Sequence, residues 1–377
     1  MNAKKAASVD EPAWPPPARL NPELTGQADA ERVLLDAFHG GRMAHAWLLC
    51  GQKGIGKATL AYRFARHVLS QNPDGPSQGL FGEAMVPDSL FTDPLSPVFK
   101  RVAAGSHGDL LSVERSLNDR GKLRGEVVVE DVRDVGEFFS MTASEGGWRI
   151  VIVDSADEMN RHAANAVLKV LEEPPNRALL LLVSHNPGQL LPTIRSRCRM
   201  LHMKALDAAH MDALLVSYAP DLGADDRARL IELSDGSIGR AVDLIAAGGI
   251  ELYRDILDLL STLPELSVAK LHLLADRLAK AGAEAQFYTA MDLLRCILAR
   301  FLRFAAEAGA AGSGGDQGFA DERDLFMRLI PGAGLDRWLE VWEKMCGLLE
   351  RTGAIHLDRK QVVLNIFLEF DGALRNR

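Results

Sequence analysis

Five short apolar runs, AWLLC (46–50), DLLSVE (109–114), RIVIVD (149–154), ALLLLVS (178–184) and RMLHM (199–203), alternate with stretches of helical periodicity up to about residue 205. That alternation is the sequence form of a parallel sheet covered by helices. In NRHAANAVLKVLEE, Ala164, Val167, Leu168 and Leu171 recur at i, i+3, i+4 and i+7, which predicts a helix docked on the sheet. Pro174 and Pro175 then end it. Past Ala205 the strand signals vanish, and DAAHMDALLVSY, DDRARLIELS and GRAVDLIAAG read as short helices. From about Ile250 the pattern stays helical, broken by the Gly-rich connector AAGSGGDQG (310–318). The leading stretch, with AWPPPARL, cannot supply regular ladder hydrogen bonds and reads as a flexible arm. The expected division is therefore an arm (1–22), an α/β core (23–205), a small helical region (206–248) and a larger helical domain (249–377).

Composition narrows the class without changing the fold. Of 377 residues, 47% are hydrophobic and 25% charged, the make-up of an ordinary globular chain. No apolar run approaches membrane-spanning length, so no membrane role is expected. The first twenty residues hold no apolar stretch of the secretory kind, which predicts a cytoplasmic protein with reduced thiols. Cys50, Cys198, Cys296 and Cys346 are far apart and form no metal-binding pair, so they are expected as buried free thiols. A net charge of −8 argues that any contact with DNA phosphates is local or shared with partners.

Candidate chemistry begins at GQKGIGKAT (51–59), between an apolar strand and the helical run LAYRFARHVL. Gly51, Gly54 and Gly56 let backbone N–H groups turn around phosphate oxygens, and Lys57 would sit against the β and γ phosphates. The residue after the lysine should carry a hydroxyl for magnesium, but it is Ala58. Thr59, the candidate hydroxyl, stands one place late, where a helix turns the side chain by roughly 100°. Asp154 ends a buried strand, where a carboxylate can hold the metal's water shell. Next to it an ATPase needs an acid to polarise water, and here stands Ser155, a hydroxyl with no basicity near neutral pH. Asp157 and Glu158 follow, either as substitutes for that acid or as solvated cap residues. The sequence thus favours nucleotide binding, with ATP and its magnesium as the candidate ligands, over hydrolysis.

Taken in order, LTGQADAERVL (24–34), the P-loop, IVDSADEMN, NAVLKVLEEPP (165–175), IRSRCR (194–199) and GSIGRAVDL (236–244) resemble bacterial clamp-loader subunits of the AAA+ class. Ser155 and the imperfect P-loop resemble the delta-prime type within DNA polymerase III. The motor type, tau or gamma, keeps an intact P-loop and a glutamate after the aspartate; an ATP-hydrolysing motor is the alternative reading. The resemblance implies a P-loop AAA+ core with a parallel five-stranded sheet, a helical lid over 206–248 and a helical collar over 249–377. It implies that Arg197, in SRC, is an arginine finger reaching in trans into a neighbour's ATP site, a task suited to a planar, permanently charged guanidinium. It matches Arg240 to the sensor 2 position near bound nucleotide, and it puts Ser184, His185 and Asn186 where a sensor 1 residue would sit. Implied partners are tau/gamma and delta subunits, the sliding clamp and, through the complex, primer-template DNA. Such a subunit belongs to the polymerase holoenzyme without polymerase chemistry of its own. Many relatives carry a four-cysteine zinc module where this chain has residues 69–108; no cysteine occurs there, so a zinc-free insertion is expected.

Overall fold

A strand buried on both faces requires helices on either side of its sheet, and the chain supplies them. The computed structural model describes residues 15–71, 87–118, 121–144, 147–311, 319–355 and 357–375. It divides into two compact units: the first runs to Pro220 and takes in Gly236–Gly239, and the second holds Asp221–Asp235 and Arg240 onward.

In the first unit, α1 (Ala28–His39), β1 (Ala46–Cys50), α2 (Lys57–Ser70), α3 (Pro97–Ala103), β2 (Leu110–Glu114), α4 (Val129–Ser140) and β3 (Arg149–Asp154) follow in order. After them come α5 (Arg161–Glu172), β4 (Ala178–Ser184), α6 (Pro192–Arg195), β5 (Arg199–His202) and α7 (Ala208–Tyr218). The five strands form one sheet in the order β2-β3-β4-β1-β5, and all four pairings are parallel. This is the five-stranded parallel core that the sequence predicts; only β2 starts one residue later and β5 ends one residue earlier than expected.

Alternation along each strand sorts the apolar side chains into two layers. Trp47, Leu49, Ile150, Ile152, Leu179 and Leu181 pack with Leu34 of α1 and Leu60 and Phe64 of α2. Leu48, Val151, Val153, Leu180 and Leu182 pack instead with Val132 and Val135 of α4 and Val167 and Leu171 of α5. Because the strands run the same way, the ends of β1, β3 and β4 converge: Cys50 lies opposite Ser184, and Asp154 lies between Glu114 and Val183. Loops leaving that edge can build one site.

The arm expected over 1–22 is pinned at its inner end; residues 1–14 lie outside the described residues. Arg66, 1% exposed, donates to the carbonyls of Arg19 (2.9 Å) and Asn21 (2.7 Å), with its guanidinium 4.5 Å from the centre of the Phe99 ring. Arg63 bonds to Glu31 at 2.6 Å and to the carbonyl of Pro22. A buried guanidinium needs acceptors, and backbone carbonyls of the leading segment provide them. Of the insertion expected over 69–108, residues 72–86 lie outside the described residues.

The second unit is helical: α8 (Ala224–Ser234), α9 (Ile238–Ala246) from Arg240 onward, α10 (Gly249–Leu260), α11 (Val268–Ala279), α12 (Glu284–Ala311), α13 (Ala320–Leu329), α14 (Leu335–Ile355) and α15 (Arg359–Arg375). The segment 206–248 thus contributes α7 to one unit and α8 and most of α9 to the other. Phe301 on α12 anchors the helical core, with ring centres 4.8 Å from Trp338 and 5.4 Å from Phe326. Residues 312–318 of the Gly-rich connector lie outside the described residues. All four cysteines are free, but only Cys50 and Cys198 are buried; Cys296 and Cys346 are half-buried, which corrects the expectation for that pair. Among the described residues no helix is long and apolar enough to cross a membrane.

Candidate functional site

The loop between β1 and α2 is built on backbone shapes that side chains rarely adopt. Gly56 caps α2 with φ +97°, and a methyl group there would meet Leu24 Cδ1 at 2.6 Å. Gly54 has φ +80° and stands back to back with Gly239, whose N–H donates to its carbonyl at 3.0 Å. A methyl group at 54 would lie 2.4 Å from Ser237 Oγ and 2.9 Å from Gly239 Cα. Ser237 Oγ in turn donates to the carbonyl of Lys53 at 2.7 Å. Lys57, 3% exposed, folds its ammonium onto the carbonyls of Gly51 (2.6 Å) and Gln52 (2.5 Å). Burial pulls its pKa down to about 8, with Asp157 and Asp154 pulling the other way.

Asp154 closes β3, where burial and the neighbouring Glu114 raise its pKa against the hydrogen bond from Ser155. Ser155, 5% exposed, lies between Asp154 Oδ1 (3.2 Å) and His185 Nε2 (2.9 Å). Burial, reinforced by the charge of Lys57, drives the pKa of His185 to about 4, so its imidazole is neutral at physiological pH. Its Nε2–H donates to Ser155 Oγ, and the Ser155 hydroxyl donates to Asp154. Both acids after Ser155 have protein partners. Asp157 accepts the backbone N–H groups of His185 (3.1 Å) and Asn186 (2.9 Å), while Glu158 pairs with Arg115 at 2.9 Å. Asp157 is a brace for the end of β4 rather than the solvated cap residue that the sequence offered.

The donor set divides in its fit to a nucleotide. The loop N–H groups and Lys57 suit phosphates, and Asp154 suits the water shell of magnesium. Position 58 offers no hydroxyl, and Thr59 is half-buried on the first turn of α2. Tyr62 OH, from α2, reaches Ser112 Oγ at 2.8 Å and Glu114 Oε1 at 3.3 Å on β2, so Glu114 joins the same edge.

Arg197 lies apart from this loop, between α6 and β5. Its Nη2 is 3.0 Å from Glu172 Oε1, its Nη1 donates to the carbonyl of Thr193 at 3.1 Å, and its side chain is 36% exposed. Arg240, in the second unit, gives Nη2 to Asp292 Oδ2 at 2.8 Å and to Cys296 Sγ at 2.9 Å. Its guanidinium is thereby engaged on α12.

Residues 26–207, from the turn before α1 through the end of β5, match the family described as DNA polymerase III, delta subunit. The DNA polymerase III subunit delta' of Pseudomonas aeruginosa is 38% identical over 200 residues, which are 52% of this chain and 55% of the relative. The Escherichia coli subunit delta' is 32% identical over 214 residues, 56% of this chain and 57% of the relative. The tau subunit of Salmonella typhimurium is 26% identical over 226 residues, 59% of this chain and 32% of the relative. The match thus spans little more than half the length of the delta-prime relatives. Within the matched residues lie the P-loop, Asp154, Ser155, His185 and Arg197; Arg240 lies beyond them.

Sequence reasoning gave His185 no more than candidacy, beside Ser184 and Asn186, for a sensor 1 position and gave Glu172 no role. Both meet partners distant in sequence, Ser155 in one case and Arg197 in the other. The loss of the acid at position 155 was the signal that its neighbours had a different use.

The state of Lys57 supplies a test. A bound polyphosphate holds the lysine charged, whereas in the free loop it loses its proton near pH 8. Between pH 8 and the ordinary lysine range, nucleotide binding is therefore expected to take up close to one proton, and affinity to fall as pH rises. Titration calorimetry at pH 9 in two buffers of different ionisation heat measures this uptake. Equal heats in both buffers contradict it.

Proposed function

We propose that this chain is the delta-prime-type subunit of a DNA polymerase III clamp loader. It would act in the cytoplasm within a heteropentamer of tau/gamma-type and delta subunits that opens a ring-shaped sliding clamp and places it on primed DNA. The match of residues 26–207 to the family described as DNA polymerase III, delta subunit, supports this reading. The observation that carries it is the pairing of Ser155 with His185, with both following acids engaged elsewhere. Hydrolysis needs a base to orient and deprotonate water, and a serine hydroxyl held by a neutral imidazole is not one. If nucleotide binds, the backbone of Gly51, Gly54 and Gly56 with Lys57 would hold the phosphates, and Asp154 with Thr59 would face the magnesium. ATP would supply binding energy there, while the energy of clamp opening comes from neighbouring subunits. Arg197 would serve one of those neighbours in trans, and the exposed apolar residues Val268, Leu273 and Leu368 would help the second unit act as a collar. Sensor 2 duty for Arg240 would require it to leave Asp292.

Lys57, Asp154 and the likeness to tau favour the motor reading instead. The purified chain is expected to turn over no ATP above background, and to co-elute with tau/gamma-type and delta subunits in size-exclusion chromatography. Steady hydrolysis abolished by Lys57→Ala would establish the motor; failure to enter any complex would remove the clamp-loader role.

A further inference from the structure

The carboxylate beside Arg197 is the last residue of α5, and its place in the fold is tightly set. Asn160 Oδ1 caps the start of α5 by accepting Ala163 N–H at 2.9 Å, and Pro174 and Pro175 prevent its extension past Glu173. Glu172 is therefore presented from a fixed helix end. Thr193, the second anchor, lies in α6, which Pro192 starts. Arg197 is thus held between two backbone elements by Nη2 to Glu172 and Nη1 to Thr193.

We propose that Glu172 is a positioning residue for Arg197, holding the guanidinium in the orientation in which it meets the phosphates of a neighbouring subunit's nucleotide; this rests on the reading of Arg197 as a finger in trans. A guanidinium carries five N–H donors. Among the described residues one on each terminal nitrogen is engaged, which leaves three for an anion. The two anchors therefore fix the fork without consuming it. An arginine with no anchor must give up its rotamer freedom at the moment it engages the phosphates, and one already fixed has done so in advance.

The opposing effect is electrostatic, since a carboxylate next to the guanidinium lowers its attraction for phosphate. Which effect wins follows from exposure. Glu172 is 51% exposed, so water screens its charge across the distance to a neighbour's phosphate, whereas the 3.0 Å contact and the bond to the Thr193 carbonyl act at short range on the rotamer of Arg197 itself. Positioning therefore dominates.

The test uses the assembled complex of full-length chains. Glu172→Ala removes the anchor, and Glu172→Gln keeps an acceptor while removing the charge. Single-turnover ATP hydrolysis at the neighbouring site is expected to slow about tenfold with alanine and less with glutamine. KM for ATP should stay unchanged, because the neighbour's own loop binds the nucleotide. In a chain already carrying Arg197→Ala, adding Glu172→Ala should change nothing further. If Arg197→Ala slows hydrolysis but neither Glu172 variant does, or either one speeds it, the positioning role is overturned and the finger stands. If Arg197→Ala itself has no effect, the finger reading fails and the positioning role with it. Should the alanine variant fail to co-elute with the complex, the glutamine variant decides alone: a reduced rate with normal KM supports positioning, and a wild-type rate overturns it.

Discussion

Alanine in place of Arg197 is expected to cut ATP hydrolysis at the neighbouring site by about a thousandfold while leaving the complex intact. The size follows from what the side chain would do. Charge spreads over the γ-phosphate oxygens as the bond to the leaving group loosens, and a planar donor fork meets it where water and ammonium groups meet it poorly. Lysine at 197 is accordingly expected to recover little of the loss. Assembly should survive because the side chain is 36% exposed and, among the described residues, has Glu172 and the Thr193 carbonyl as its hydrogen-bond and ion-pair partners. Single-turnover hydrolysis by the reconstituted complex measures the effect, and a rate within twofold of wild type would strip Arg197 of this assignment.

The second large effect concerns stability. Asp109 is 2% exposed and accepts the N–H of Ser144 at 2.7 Å and its hydroxyl at 3.1 Å, with Arg149 Nη2 at 3.8 Å. Arg149, 7% exposed, also donates to the carbonyls of Phe138 and Thr142 and lies 4.6 Å from the centre of the Phe138 ring. Together the two residues tie the start of β3 to the end of α4. Asp109→Ala leaves a buried guanidinium without its counter-charge and the Ser144 N–H without its acceptor. Breaking such a pair costs about 3–5 kcal/mol. Urea unfolding of the full chain, followed by circular dichroism, should show a loss of that order, with Asp109→Asn losing less. A change below about 1 kcal/mol would mean that the pair is solvated and not buried.

Much of the fold was written in local pattern. AWLLC, RIVIVD and ALLLLVS became β1, β3 and β4 with no shift, because buried parallel strands are apolar throughout and the turns between them are not. The helix carrying Ala164 and Leu171 begins after its Asn160 cap and stops before the prolines, as local chemistry dictates. The P-loop was legible for the same reason, since its glycines and lysine are neighbours in sequence. What escaped depends on pairs that only folding brings together. His185 reaches Ser155 across 30 positions, Arg66 reaches Arg19 across 47, and Arg240 reaches Asp292 across 52. No period or spacing records such meetings. The sharing of residues 206–248 between units was equally hidden, because three short helices read alike whichever body each joins.

The crowding around Gly54 and Gly56 bears on how such chains change over time. Leu24 blocks one of these positions, and Ser237 with Gly239 blocks the other, so any side chain there would push against the protein's own atoms even if no phosphate ever entered the loop. A lineage that abandoned ATP would go on spelling the same glycines for reasons of packing. The half-buried alanine at 58 stands on ordinary helical backbone that accepts any of the usual side chains, and that single letter is the better witness to whether the loop still works with a metal.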